Sequence, residues 1–468
     1  MSKPEAGTPA RLPIAHPVPQ DVRELLAIPS RWEAVSVVRA SVRVRRTGRL
    51  LVLGLLVAAQ LTWSACSSPG AGVVVIDVDA PDALIDQPIR IDVHGLQPQE
   101  PVTLLAETRD GPPGLWRSWA RFKADAGGRV DVTRAAPTAG TYTGKNGMGL
   151  FLSLQSAHVT AQSVPPGPVE HVMLSVKAGA KVLAKRTLVR RMRGQDVVIR
   201  HLVPDQSGFA GDFYTAPAGA VVRPGILVFG GSEGGLATSA TTVAGLLASH
   251  GYPTLALAYF NWPGLTPVSL SSIPLEYFAA ALRWLRTQSG VDGQHVLAYG
   301  VSRGSEAALL LGVYYPDLVQ GVIALVPSSV VNCSDPGCQG PAWTLQGNPV
   351  PFTRQFGRTH PTDEPAAEIQ VEQIQGPVFM DCGGADKVWD SCLYGDAIVS
   401  RLDAHHSSYR HTLLRYPAAG HGVGELMPYM PEPPTAALAG SSPDANGTAR
   451  GQAWAGLLGF LQQAQSNP

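Results

Sequence analysis

The sequence predicts an all-β sandwich followed by a doubly wound, mostly parallel α/β sheet, and three observations carry that prediction. Short runs in the first half alternate apolar and polar residues: Ile89, Ile91 and Val93 in one, Val102, Leu104 and Ala106 in the next. Such alternation suits strands with one buried face. From about Gly211 the texture changes, and continuous apolar runs such as GILVFGG and PTLALAYF alternate with helical stretches. Continuous runs suit strands buried on both faces. Finally, Gly300-Val301-Ser302-Arg303-Gly304 lies where one such run meets a helical one.

The chain has 468 residues, more than one ordinary domain holds. Lys plus Arg equals Asp plus Glu, 36 each, so no basic excess attracts nucleic acid. Near the N-terminus, Arg39, Arg43, Arg45, Arg46 and Arg49 precede the apolar run Leu50 to Ala59, and QLTWSACSSPG follows. A basic region, a short apolar region and small residues describe a secretory signal. The run is too short for a membrane span. Trp63-Ser64-Ala65-Cys66 resembles a bacterial lipobox, whose cysteine becomes a lipidated N-terminus. Trp63 departs from the usual Leu, and cleavage nearby without a lipid is the rival reading. Residues 1–66 are therefore expected to be an extension and signal segment. The mature chain is expected outside the cytoplasmic membrane or in the periplasm, held to the membrane surface through Cys66.

A small linker, Ser67 to Gly72, leads into the strand-like region. Turn clusters separate its runs: Gly95-Leu96-Gln97-Pro98, Asp110-Gly111-Pro112-Pro113 and Ala126-Gly127-Gly128. Strand texture continues to Asp196–Val203, so residues 71–203 are assigned to a sandwich. Residues 204–468 are assigned to the α/β domain. GILVFGG, PTLALAYF, HVLAYG, GVIALVPSS, PVFMDCGG and HTLLRYP read as its strands. The helical runs between them include PLEYFAAALRWLRTQSG, with Pro274 at its start and Gly290 past its end. Alternating strand and helix implies parallel strands with crossovers. Residues 328–375 break the rhythm and read as a lid-like insertion. Its Trp343, Leu345, Val350 and Phe352 are candidates to line an acyl chain or to pack on the domain itself. Apart from Cys66, four cysteines remain: Cys333, Cys338, Cys382 and Cys392. In an exported protein they read as disulfides, most simply 333 with 338 and 382 with 392. A zinc site is the rival and lacks metal-finger spacing.

G-x-S-x-G between a strand and a helix is the arrangement that exposes a serine on a strained turn at the top of an α/β-hydrolase sheet. A serine hydroxyl needs a base, and the base needs an orienting group. In this fold they follow in the order Ser, acid, His. Asp386 and His421 follow the fifth and sixth predicted strands. The carboxyl ends of strands are where open parallel sheets bind ligands. The rival acids are Asp381, still within its strand, and Asp390, placed to open a helix. The rival histidines His405, His406 and His411 lie at a helix end and a strand start. An oxyanion needs two backbone N–H donors. Arg303 supplies one, and Gly231 in FGGSEGG the other, with Ser232 as alternate. That glycine cluster lacks the spacing of a phosphate-binding or dinucleotide loop.

PGILVFGGSEGGLATSATTVAGLLASHGYPTLALAYFNWPGL, IPLEYFAAALRWL and AYGVSRGSEAALLL resemble the acyl-CoA thioesterase and bile acid-CoA:amino acid N-acyltransferase family. LIDQPIRIDVHGLQPQEPVTLLAETRD, WRSWARFKADAGGRVDV and GMGLFLSL resemble that family's N-terminal domain. The resemblance spans about Val73 to Gln465. It implies an immunoglobulin-like sandwich before an α/β-hydrolase domain. It also implies acyl-thioester chemistry by a nucleophile–His–Asp triad, which falls on Ser302, His421 and Asp386. Family members that transfer the acyl group to an amino acid carry Cys at the nucleophile, so Ser302 favours hydrolysis. The expectation is a thioesterase needing no cofactor or metal. Its alternatives are a carboxylesterase acting on lipid-like oxygen esters, an acyltransferase, and a non-catalytic surface lipoprotein.

Overall fold

The computed structural model of the chain describes residues 72–466, except 111–113, 157–166, 266, 358–359, 361–362 and 433–439. The signal-like segment and Cys66 lie outside the described residues.

Two sheets build the N-terminal part. The smaller holds Val75–Val78, Ile91–His94 and Val130–Asp131 in that spatial order. The larger runs Asp82–Leu84, Lys181–Arg191, Val169–Ala178, Pro101–Thr108, Trp116–Lys123 and Ala139–Gly140. The alternation in the sequence becomes the core. Val102, Leu104 and Ala106 are buried on one strand, and Trp116, Ala120 and Phe122 on its antiparallel neighbour. Ile89, Ile91 and Val93 join the same cluster. Burying an aliphatic or Phe side chain of this kind contributes roughly 1.5–3 kcal/mol.

The second part is an α/β-hydrolase fold. Its eight strands are β1 Ile199–Leu202, β2 Ala210–Tyr214, β3 Arg223–Phe229, β4 Thr254–Ala258, β5 Val291–Val301, β6 Gly321–Leu325, β7 Val378–Gly383 and β8 His411–Tyr416. Their order across the sheet is β1-β2-β4-β3-β5-β6-β7-β8. β2 runs antiparallel to both neighbours, and from β4 onward every pairing is parallel. The six strands predicted from sequence are β3 to β8. β1 corrects the sandwich boundary: Ile199 pairs with Tyr214 and Leu202 with Gly211, inside the eight-stranded sheet. As an antiparallel edge strand it has the half-exposed texture of the sandwich strands, which is why the sequence groups it with them.

Five helices flank the sheet: α1 Thr238–Ser249, α2 Leu275–Arg286, α3 Arg303–Tyr314, α4 Ser391–Ala404 and α5 Pro443–Ser466. α2 buries Leu275, Phe278, Ala279, Leu282 and Leu285, the stripe expected at helical spacing. The sandwich packs on the α/β part through Ile85 and Met192, which share a cluster with Ala453, Trp454 and Leu457 of α5. At the same contact the Asp86 carboxylate accepts from Trp454 Nε1 at 2.8 Å and pairs with His250 Nε2.

The cysteines pair locally, Cys333 with Cys338 and Cys382 with Cys392. The second bridge spans ten positions, from β7 into α4, and closes the loop that carries Asp386. Closing so short a loop restricts the unfolded chain by roughly 2–3 kcal/mol. Peptide mapping of a non-reduced digest should therefore show both links, and Cys392→Ser should lower the unfolding free energy by about that amount. Four free thiols in air-oxidised protein would contradict the pairing.

Candidate active site

Ser302 stands between the end of β5 and the start of α3, with φ +56° and ψ −122°. A non-glycine residue at positive φ is strained. Two features hold it there. The Ser302 N–H donates to Leu325 O at the end of β6, 3.0 Å away. The flanking glycines allow a contact no side chain would permit: a Cβ on Gly300 would lie 2.0 Å from Gly304 O. The turn thus lifts the Ser302 hydroxyl above the carboxyl end of the sheet.

Asp386 and His421 meet it there. His421 Nε2 lies 2.8 Å from Ser302 Oγ, and His421 Nδ1 lies 2.8 Å from Asp386 Oδ2. The Asp386 side chain is buried, and its other oxygen accepts from the Val388 and Trp389 amides at 2.9 and 3.3 Å. The Trp389 ring meets the imidazole edge-on, with centroids 5.3 Å apart, and its Nε1 donates to Val326 O. Trp389 therefore walls the imidazole against rotation. The rival residues sit elsewhere. Asp390 caps α4, accepting from the Leu393 amide. His405 ends that helix, and His411 starts β8 paired with Asp403. Asp381 lies within β7, fully buried, with Oδ1 accepting from the Val326 amide.

Arg303 and Gly231, the two expected oxyanion donors, both lie beside Ser302. Arg303 opens α3, so its N–H is among the first-turn donors that lack an intrahelical acceptor. Gly231 is buried beside the elbow, and a Cβ there would lie 3.0 Å from Ser302 Cβ. The buried Tyr259 hydroxyl bonds to Gly230 O at 3.0 Å and Gly231 O at 2.8 Å. Because Gly230 O and Gly231 N belong to one peptide plane, Tyr259 holds that plane and aims its N–H the opposite way. The N–H meets the carboxylate of Glu233, 3.0 Å from each oxygen. The alternate donor, Ser232, is exposed.

The described residues of the 328–375 insertion form a cap packed on α3. The Arg303 side chain is fully buried and donates to Asn332 O and Cys333 O at 3.0 and 2.9 Å. Glu306, one turn along α3, accepts from the Asn332 amide, Asn332 Nδ2 and Trp343 Nε1. Trp343 is fully buried against Tyr259 and Phe278, so it is core and lines no acyl site. Val350 is buried in the same cluster, and Leu345 and Phe352 are partly buried against it.

Sequence reasoning missed Glu233, Tyr259 and the pair Glu306–Asn332. An acid inside the glycine cluster assigned to the oxyanion donor was the available signal for Glu233. Tyr259 and Glu306 read simply as parts of a strand run and a helix.

The family described as "Acyl-CoA thioester hydrolase/BAAT N-terminal region" matches residues 86–203, and "BAAT / Acyl-CoA thioester hydrolase C terminal" matches residues 273–467. Acyl-coenzyme A thioesterase 6 of Mus musculus is 30% identical over 406 residues, covering 81% of this chain and 93% of that protein. Mitochondrial acyl-coenzyme A thioesterase 2 of Mus musculus is 30% identical over 364 residues, 74% of this chain and 78% of that one. The peroxisomal succinyl-coenzyme A thioesterase of Mus musculus is 28% identical over 402 residues, 80% and 93% of the two chains.

Burial pushes the Asp381 carboxyl up to about 7, opposed by the Val326 amide and by His421. Both His421 nitrogens are already engaged, by Ser302 and Asp386. Asp381→Asn should therefore keep activity within about tenfold of the parent, while Asp386→Asn should lose roughly 10⁴-fold. The folded-state pKa is raised above the unfolded value, so folding takes up a proton and stability falls as pH rises from about 4 to 7. Urea unfolding of Asp381→Asn should lack at least about 1 kcal/mol of that pH dependence. If Asp381→Asn is as damaging to turnover as Asp386→Asn, the orienting role belongs to Asp381.

Proposed function

The chain belongs to the acyl-CoA thioester hydrolase/BAAT family and is an enzyme that hydrolyses thioesters or esters, and on that premise we propose that it cleaves an acyl thioester through Ser302, His421 and Asp386. The observation that carries the reading is the unbroken hydrogen-bond chain from Ser302 Oγ through both imidazole nitrogens to the buried Asp386 carboxylate. Ser302 Oγ attacks the acyl carbonyl as its proton passes to His421 Nε2. Asp386 holds Nδ1–H and stabilises the imidazolium. The Arg303 and Gly231 amides meet the oxyanion. As the tetrahedral intermediate collapses, His421 returns the proton to the departing sulfur. Water, deprotonated by His421, then attacks the acyl-serine, and His421 passes that proton to Ser302 Oγ as the acyl–oxygen bond breaks and the carboxylic acid leaves. Serine at the nucleophile supports water as the acceptor over an amine.

A second reading keeps the residues and changes the leaving group to an alcohol. The signal-like segment and the two disulfides favour it, because they suit an oxidising compartment where acyl-CoA is scarce. The same features support an exported chain tethered through a lipid on Cys66. Among the described residues no helix is long and apolar enough to cross a membrane. A lipid on Cys66 would contribute about 0.8 kcal/mol per buried CH₂.

Ser302→Ala should leave a folded protein whose turnover falls on the order of 10⁶-fold, because the nucleophile and its base act as a unit. Near-normal turnover in that variant would remove the triad reading. A panel pairing acyl-CoAs with oxygen esters of the same acyl chain decides the leaving group: faster thioester cleavage supports the first reading, and negligible thioester cleavage selects the second. Cys66→Ser should move the protein from the membrane to the soluble fraction. A wild type already soluble would remove the anchor.

A further inference from the structure

The amide assigned to the oxyanion is already occupied. Gly231 N–H donates to both oxygens of Glu233, two residues along the same loop. The amide is aimed by the Tyr259 hydroxyl on the opposite side of its peptide plane, so its direction does not depend on Glu233. The occupied amide also lies beside Ser302. A Cβ placed on Gly231 would lie 3.0 Å from Ser302 Cβ and 3.2 Å from Glu233 Oε2, so the nucleophile and the carboxylate flank one spot. An acyl carbonyl attacked by Ser302 needs the same donor for its developing negative charge. A carboxylate and an oxyanion cannot share one N–H at hydrogen-bond distance, since both are acceptors and both are negative.

Resting on the reading of Ser302 as nucleophile, we propose that Glu233 is a built-in occupant of the oxyanion pocket, whose carboxylate holds the Gly231 donor in the free enzyme and must leave before an acyl carbonyl can be activated. The side chain has somewhere to go. Glu233 as a residue is exposed, and only its carboxylate end turns inward, so rotation outward sacrifices little packing. Every substrate then displaces a charge-assisted hydrogen bond before the chemical step, and the displacement slows capture of all of them alike. The occupant is effective only when ionised, because a protonated carboxyl is a much weaker acceptor. Desolvation at its inward end raises the Glu233 pKa, Glu425 adds to the rise, and His421 and the accepted amide hydrogens oppose it. Tyr259, the remaining titratable group against the loop, stays protonated, its pKa pushed far up by burial. As pH rises through the Glu233 pKa the pocket therefore closes on itself.

The test is Glu233→Gln and Glu233→Ala in the full chain. The readouts are kcat/KM for p-nitrophenyl acetate and the rate of inactivation by diethyl p-nitrophenyl phosphate, which puts a phosphoryl oxygen in the oxyanion pocket. At about pH 8 both variants should react faster than the parent, Glu233→Ala roughly tenfold, the scale of a charge-assisted hydrogen bond. The advantage should shrink toward unity as pH is lowered to about 4, where the parent carboxyl is protonated. Variants equal to or slower than the parent at high pH, or a gain that does not change with pH, would overturn the proposal and leave Glu233 as a loop-shaping residue. Failure of the hydrolase reading is separate: there Ser302→Ala, treated identically, would retain turnover and react with the phosphate.

Discussion

Everything at the site depends on one steric constraint, the absence of side chains where three backbone segments cross beneath Ser302. A Cβ on Gly300 would meet Gly304 O at 2.0 Å, and one on Gly304 would meet Gly230 O at 2.3 Å. β5, α3 and the loop after β3 therefore touch through bare backbone. That contact allows α3 to start directly under the serine, which forces Ser302 to positive φ and points its hydroxyl upward. The strained turn at Ser302 and the approach of the Gly230–Gly231 loop are consequences of a single packing event, and a methyl group at either glycine would disturb both together.

The next requirement is a roof, and buried charge supplies it. Arg303 and Glu306 form an ion pair with both side chains fully buried, 2.9 Å between Nε and the carboxylate. A buried pair is costly to desolvate and is tolerated when its remaining donors and acceptors are used. Here they are used on the cap: Arg303 serves two carbonyls, Glu306 takes three donors, and the Phe356 ring covers the guanidinium. The helix that begins at the nucleophile is thereby bolted to residues 332–356.

How much of this was legible in the sequence follows from how local each feature is. The alternation in Val102–Ala106 and the Gly-x-Ser-x-Gly turn are local patterns with one common physical solution, and the structure realises both. Asp386 and His421 were reachable because strand ends fix where their loops must stand. Ile199–Leu202 was assigned to the wrong sheet, because an antiparallel edge strand carries no mark of which sheet it will join. The packing of the 328–375 insertion was not legible, because its polar composition, rich in Pro and Gly, fits a loop. Its Asn332, Ser328 and Thr353 are buried, and their polarity is spent on an internal network that only tertiary contacts reveal. Glu233 was passed over for a similar reason: a sequence can place an acid in a loop but cannot say that its carboxylate turns back onto an amide two residues away.

His421 sits among acids whose chemistry is sorted by surroundings. Asp386 is buried but receives two amides besides the imidazole, so its negative charge is compensated where it stands. Asp381 is buried with one amide partner and a second oxygen left without any among the described residues, so its charge is uncompensated and its carboxyl pKa rises. Glu233 has a partner, but one that catalysis also needs, and it has an exposed path away from it. Asp386, Asp381 and Glu233 are thus set apart by how many N–H groups each receives and whether another acceptor competes for them. The imidazole needs only the first of these to orient it. The other two change the charge around the site with pH while leaving the hydrogen-bond chain from Ser302 to Asp386 in place.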